Sequence, residues 1–377
     1  MPWGVVSLMP LREEFVRLAE GKTMSLSKLC RRYGISRKTG YKWLERYREH
    51  GSQGLFDHSR RPKHSPRLLS KSQEQSVLKL RQSHPQWGAR KIRRLLEKGH
   101  PSHVPACSTI TAVLHRYGLI DVESQAAKPN WQRFEREVPN SLWQMDFKGP
   151  LPTTAGQAHA LSVLDDHSRF NLCLKALPNQ QGDSVKQALT ETFRIYGLPN
   201  TLMMDNGPPW GGDPDYPYTV LTMWLIRLQI GVAHSRAYHP QTMGKDERFH
   251  RTLNGELLQA RQWQDLADLE RGFERFRQTY NFLRPHDALD LEVPASRYQM
   301  SLRSFPETLP PIEYDSGLAV RKVQQKGEIS FHGKTLKVGQ AFAGYRVALK
   351  PTSTDGVWDV LFCHQRVKQI DLRDAQS

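Results

Sequence analysis

Ser-Leu-Trp-Gln-Met-Asp-Phe-Lys-Gly, residues 141–149, is a short apolar run interrupted by one carboxylate and followed by Pro150. Its length and the Gly-Pro pair predict a β-strand over Leu142 to Lys148 rather than a helix. A carboxylate inside such a strand is costly to bury, so Asp146 calls for a chemical reason. A second apolar run, Thr201-Leu202-Met203-Met204, leads straight into Asp205-Asn206-Gly207-Pro208-Pro209. Asp205 is thereby predicted at the carboxyl end of a strand, where the chain turns and where open α/β sheets hold ligands. In the third stretch, residues 239–257, Phe249, Leu253 and Leu257 recur every four residues. That spacing marks one face of a helix, and Glu247 lies off it.

Two aspartates at strand ends and a glutamate on a helix can meet at one point, and a pair of Mg²⁺ ions rewards such a meeting. Mg²⁺ is hard, prefers carboxylate oxygens and keeps several waters, so a few acids plus phosphate oxygens complete its shell. Two such ions about 3.5–4 Å apart can serve the attacking and leaving oxygens of an in-line phosphoryl displacement.

At these residues the chain resembles the DDE integrases and transposases, the retroviral-integrase-like group of bacterial insertion-sequence enzymes. Four pieces match in order: Trp143-x-x-Asp146; Asp165-Asp166-His167-Ser168-Arg169; Asp205-Asn206-Gly207; and His239-Pro240-Gln241 leading into Gly244-Lys245-x-Glu247-Arg248. A fifth, Tyr280-Asn281 with Arg284-Pro285-His286, follows as it does in that family. The resemblance implies an RNase H-like core whose acidic triad, Asp146, Asp205 and Glu247, holds two Mg²⁺ ions, with Mn²⁺ as a substitute. It implies cleavage at the 3′ ends of an insertion sequence and strand transfer into target DNA. The partners would be double-stranded DNA, as terminal inverted repeats and as target, and further copies of the chain in a homodimer or larger assembly.

Two features depart from the pattern. Asp205 and Glu247 stand further apart than in compact retroviral members, and the loop from Trp210 to Asp215 has room for the extra residues. Met243 occupies a position where family members often carry Gln or Asn, and a thioether accepts hydrogen bonds only weakly. A catalytically altered DNA-binding regulator is therefore one alternative, and a nuclease of the RNase H-like fold is another. Tandem helix-turn-helix units argue against a nuclease acting on hybrids, because they read duplex DNA.

Asp165, Asp166 and His167 follow the apolar run Ala160 to Leu164 and read as a hairpin turn rather than as ligands. Lys245, Arg248 and Arg251 are either a solvated helix face or DNA contacts beside a phosphodiester site. Arg251 also has the spacing to pair with Glu247.

The chain of 377 residues carries a formal net charge of +16, which points to a polyanionic partner. Its 38% hydrophobic content permits folded cores and excludes disorder throughout. No run approaches the roughly 18 apolar residues of a membrane span, and the start lacks a basic segment followed by an apolar one. A cytoplasmic, nucleoid-associated protein is expected. The four cysteines are scattered without a Cys-x-x-Cys pair, which supports neither a disulfide framework nor a cysteine-rich zinc site.

The expected architecture is multidomain α/β. Residues 1–51 are predicted to form a helix-turn-helix domain, with Arg37, Lys38, Thr39 and Lys42 at the start of its recognition helix. Residues 52–70 are a basic linker whose Arg60, Arg61 and Lys63 suit a phosphate backbone or minor groove. A second helix-turn-helix domain over 71–120 offers Arg90 and Lys91 to DNA. After a linker, 121–138, the catalytic core and a helical extension occupy 139–300. Its order of three strands, then helix, strand, helix, strand, helix predicts a mixed sheet flanked by helices. A linker, 301–317, precedes six short β runs punctuated by glycines over 318–377. They predict a small SH3-like β-barrel that binds DNA or another subunit through Arg321, Lys322, Lys337, Arg346 and Lys350.

Overall fold

The computed structural model describes residues 8–57, 69–99, 104–120, 135–211, 217–234 and 244–373. They separate into two compact units, residues 1–68 and 69–377. No helix among the described residues is long and apolar enough to cross a membrane.

The first unit holds three helices, α1 (Leu8–Glu20), α2 (Leu26–Arg32) and α3 (Arg37–His50). Phe15, Leu29, Ile35, Trp43 and Leu44 form its core. The Ser36 side chain caps α3 by accepting the Thr39 amide at 3.1 Å. Gly40 allows close approach of the helices, since a Cβ there would lie 2.6 Å from Cys30 Sγ. Arg12 ties the chain end down, donating to Leu55 O and to both Asp57 oxygens while stacking over Trp43.

The second unit opens with α4 (Lys71–Ser83), α5 (Ala89–Gly99) and α6 (Cys107–Arg116) around Val77, Trp87, Ile92, Ile110 and Val113. The next strands are β1 (Trp143–Thr153), β2 (Gly156–Asp165) and β3 (Asn171–Leu177). Then come α7 (Gly182–Tyr196), β4 (Thr201–Met204), α8 (Val220–Arg227), β5 (Gly231–His234), α9 (Gly244–Glu256) and α10 (Leu266–Gln278). The five strands lie in the order β3-β2-β1-β4-β5. The first three pair antiparallel, and β1-β4 and β4-β5 pair parallel. This is the RNase H-like mixed sheet expected from the element order. Strand β1 outruns its predicted end, because Gly149-Pro150 shifts the register between Lys148 and Leu151 without ending the ladder.

Alternation along β1 divides the two faces. Trp143 and Met145 enter a core with Val185, Leu189 and Phe193 of α7 and Leu225 of α8. Gln144 and Asp146 therefore belong to the opposite face, where Ala158, Ala160 and Leu174 pack under Phe249 and Leu253 of α9 and Leu269 and Phe273 of α10.

An amide side chain meets each edge of this sheet, and such backbone pairing blunts an edge that would otherwise recruit another strand. At β3, Asn281 accepts from Asn171 N at 2.8 Å and donates to Asn171 O at 2.9 Å. At β5, Gln365 makes the same pair of bonds to Val232, at 2.7 and 2.9 Å.

Gln365 belongs to the last set of strands: β6 (Ala319–Lys322), β7 (Glu328–Phe331), β8 (Lys334–Lys337), β9 (Arg346–Pro351), β10 (Val357–Phe362) and β11 (Gln365–Asp371). They form a four-stranded antiparallel sheet, β11-β10-β9-β6, and a separate β7-β8 hairpin. Sheet and hairpin enclose one core, to which Met223 and Ile226 of α8 also contribute.

Candidate active site

The β1-β4 ladder aligns Trp143 with Leu202 and Gln144 with Met203. Carrying that register two residues further brings Asp205, the residue after β4, level with Asp146. Asp146 Oδ1 accepts the Phe147 amide at 2.8 Å, and Oδ2 lies 3.6 Å from His250 Nδ1. Burial, and then the charges of Asp205 and Glu247, push the Asp146 carboxyl up to about 6 against the backbone bond from Phe147. Asp146 thus feels the charges of Asp205 and Glu247. Among the described residues no three His, Cys, Asp or Glu side chains are placed so that they could hold a metal ion.

Asp205 is exposed, and its Oδ1 accepts from Gly207 N at 2.9 Å and from the Trp210 indole. Trp210 is buried and stacks on Phe147, with ring centroids 5.1 Å apart. The turn needs a glycine at its far end: Gly211 N donates to Gly207 O, and a Cβ on Gly211 would lie 2.1 Å from Asn206 O. We expect Gly211→Ala to swing Trp210 off Asp205 and to slow DNA strand cleavage by about 100-fold, the scale of a 1 Å misplacement in an active site. Single-turnover cleavage rates measure this; a rate within about threefold of wild type would show that the turn does not position Asp205.

Glu247 is exposed in the first turn of α9, as its place off the apolar stripe predicts. Its neighbour Asp246 is fully buried, and neither of its carboxylate oxygens has a hydrogen-bond partner. The Ser162 hydroxyl nearby is committed to His250 Nε2 at 2.8 Å and Asp146 O at 3.2 Å. Burial, and then the charges of Asp146 and Asp166, push the Asp246 carboxyl well up. Sequence reasoning missed Asp246 and His250, yet the stripe of Phe249 and Leu253 carried back one turn lands on Asp246.

Asp165 and Asp166 build the turn that the sequence suggests. Asp165 accepts from Asn140 N and from the Ser168 amide and hydroxyl, and Asp166 from Arg136 N and Gln144 Nε2.

The candidate DNA contacts divide. Arg37, Lys38 and Lys42 are exposed on α3, Lys42 lying over the Trp43 ring, while Thr39 is half-buried and bonded to Ser36. Arg248 and Arg251 are exposed on α9. Lys245, however, is turned inward in an ion pair with Asp166. Lys91 is buried, and burial followed by the Arg284 charge pushes its ammonium down to about 8. Arg90 pairs with Asp287 at 3.0 Å and Arg94 with Glu292. These bonds dock the basic face of α5 onto the 284–292 segment and leave Ser108, Thr111, His115 and Arg116 of α6 exposed. Arg60, Arg61, Lys63 and Met243 lie outside the described residues.

The helix-turn-helix domain profile matches residues 11–63 and the homeodomain-like domain profile 39–114. Integrase core domain profiles match 136–240 and 228–294, and the profile of the IS481 family transposase C-terminal domain matches 318–377. The chain is 22% identical to the uncharacterized 31.7 kDa protein of insertion element IS407 from Burkholderia multivorans, covering 65% of this chain and 85% of that one. It is 23% identical to the uncharacterized 39.2 kDa protein of insertion element IS476 from Xanthomonas euvesicatoria, covering 78% of each. With the transposase for transposon Tn552 from Staphylococcus aureus it shares 25% identity, over 62% of this chain and 53% of that protein. The chain thus matches, in order, helix-turn-helix domains, integrase core domains and an IS481 family transposase C-terminal domain, and it is similar to proteins of insertion elements, which together support a DNA transposase.

Proposed function

We propose that the protein cuts the 3′ ends of insertion-sequence DNA and joins them to a target duplex, with Asp146, Asp205 and Glu247 as the ligands of divalent cations. The observation that supports this is the β1-β4 register, which sets Asp205 level with Asp146 at the ends of the central strands, with Glu247 exposed on the first turn of α9. Carboxylate oxygens suit Mg²⁺, and Mn²⁺ by substitution. Bound ions would supply activation of the attacking oxygen and stabilisation of the leaving one. The chain's own residues set the geometry. Gly207 N and Trp210 hold Asp205, the Phe147 amide holds Asp146, and α9 presents Arg248 and Arg251 to the phosphates of the strand being cut.

In the first step a water oxygen bonds to phosphorus and the element's 3′ oxygen leaves with a proton. In the second, the freed 3′-hydroxyl bonds to a target phosphorus and displaces the target's own 3′ oxygen. One phosphodiester is exchanged for another, and no covalent bond to the protein is needed. Joining two element ends in one event requires two active sites, which favours a homodimer or larger assembly on DNA. End recognition would fall to α3 and, since Arg90 and Arg94 of α5 are paired with Asp287 and Glu292, to the exposed face of α6 in place of Arg90 and Lys91, while Arg60, Arg61 and Lys63 would follow a phosphate backbone. The exposed Arg321, Lys322, Lys337, Arg346 and Lys350 would meet DNA or a second subunit.

Arg37→Ala tests end recognition. A base-contacting arginine costs about 1–3 kcal/mol on its own sequence only, whereas a phosphate contact weakens all duplexes and lowers the salt slope by about 1. Fluorescence anisotropy at several salt concentrations reads either outcome, and unchanged affinity removes α3 from the interface. For the reaction itself, labelled duplexes ending in the inverted repeats that flank the gene are incubated with a target plasmid and Mg²⁺. Joined product is expected; cleavage without joining would assign a nuclease, and binding without cleavage a regulator.

A further inference from the structure

We propose that His250 is a positioning residue that fixes the distance between the helix carrying Glu247 and the strand carrying Asp146, and so sets the affinity of the site for divalent cations. The inference rests on the metal-ligand assignment above. Three elements meet at this ring. His250 lies on α9 one turn beyond Glu247, and its imidazole is 8% exposed. Ser162, on β2, stands directly opposite Asp146 in the β1-β2 ladder and is fully buried. Its hydroxyl lies 2.8 Å from His250 Nε2 and 3.2 Å from the Asp146 carbonyl. The other ring nitrogen, Nδ1, faces Asp146 Oδ2 at 3.6 Å.

The hydroxyl has one proton, which goes to the Asp146 carbonyl, so its oxygen is left to accept from His250 Nε2–H and the ring is tied through Ser162 to the strand that carries Asp146. Asp146 Oδ1 is already fixed by the Phe147 amide, so His250 supplies the polar group nearest the second oxygen. At 3.6 Å the pair is longer than a hydrogen bond, and such contacts tighten when the working complex forms. Lys245 anchors the first turn of α9 to Asp166 from another direction. Arg284 holds its last turn through Glu256 at 2.9 Å, and of these ties His250 is the one that faces Asp146. Groups that orient a metal ligand from behind typically change metal affinity by about 10- to 100-fold when removed.

The experiment titrates Mn²⁺ into the full-length protein, following free Mn²⁺ by electron paramagnetic resonance, for wild type and for D146N, H250L, H250N and S162A. D146N is expected to lose Mn²⁺ binding; if it binds as wild type does, the ligand assignment fails. With D146N impaired, H250L should bind Mn²⁺ at least about tenfold more weakly. H250N, whose amide can donate to Ser162 as the imidazole Nε2–H does, should recover most of the affinity, and S162A should fall between. H250L binding within twofold of wild type overturns the proposal, as does H250N no better than H250L. Thermal melts accompany each titration; should H250L fail to fold, the comparison of S162A and H250N with wild type decides, and equal affinity in all three overturns it.

Discussion

Asp205→Asn is expected to lower DNA strand cleavage and joining by at least about 10³-fold while leaving duplex binding within twofold of wild type. Removing one well-placed group that stabilises developing charge costs 10²- to 10³-fold in other enzymes, and a lost metal ligand removes more than one such group. The amide keeps the shape of the side chain, so Gly207 N and Trp210 still have an oxygen to meet. Asp146→Asn and Glu247→Gln should match it, and a double variant should be no worse than the single ones, because groups acting as a unit are not additive. Endpoint assays on labelled element ends, run beside anisotropy binding, separate lost chemistry from lost binding. Residual cleavage within tenfold of wild type in any of the three would remove that residue from the ligand set.

Asp246→Ala should make the second unit more stable, by about 2 kcal/mol near pH 8, which is unusual for a core truncation. Replacing buried ionic groups by apolar side chains of similar volume is often neutral or stabilising by about 1–4 kcal/mol, and Asp246 is enclosed with neither oxygen in hydrogen-bond geometry, only Lys245 and the Ser162 hydroxyl opposing the rise of its carboxyl. The sign of the pH dependence follows from the raised carboxyl. A group whose folded value lies above its unfolded 3.8 binds a proton on folding, so its stabilising contribution is complete at low pH and is lost as pH rises through the raised range. Asp146, raised to about 6, acts in the same direction between roughly pH 4 and 6. The wild-type melting transition in EDTA should therefore fall toward alkaline pH, and the gap to Asp246→Ala should widen. A less stable Asp246→Ala protein at pH 8 would mean that this carboxylate has a partner.

Most of the architecture is legible because its signals are local. The runs around Trp143, Leu161 and Leu202 are too short and apolar for anything but strands, and Gly197 and Ser36 mark helix ends where the structure has them. Asp205 and Glu247 are exposed as their places at a strand end and off an apolar stripe lead one to expect, while Asp146 is half-buried. What escapes is set by tertiary packing. Lys245 and Lys91 read as basic surface, but Asp166 and the 284–292 segment draw them inward, and no spacing rule announces a partner so distant in sequence. The Gly149-Pro150 pair reads as a stop, while the β2 ladder bridges it by a shift of register. Gln365 and Asn281 look like ordinary polar residues until the sheet edges they cover are known.

The central claim is that Asp146, Asp205 and Glu247 hold divalent cations where DNA is cut. Anomalous X-ray scattering from Mn²⁺, in crystals of the protein bound to an element-end duplex, tests it directly. Two manganese peaks about 3.5–4 Å apart, bridged by these carboxylates and a DNA phosphate, are the expected result. Manganese ordered elsewhere in crystals that still cut their DNA, with these three side chains turned away from it, would contradict the account.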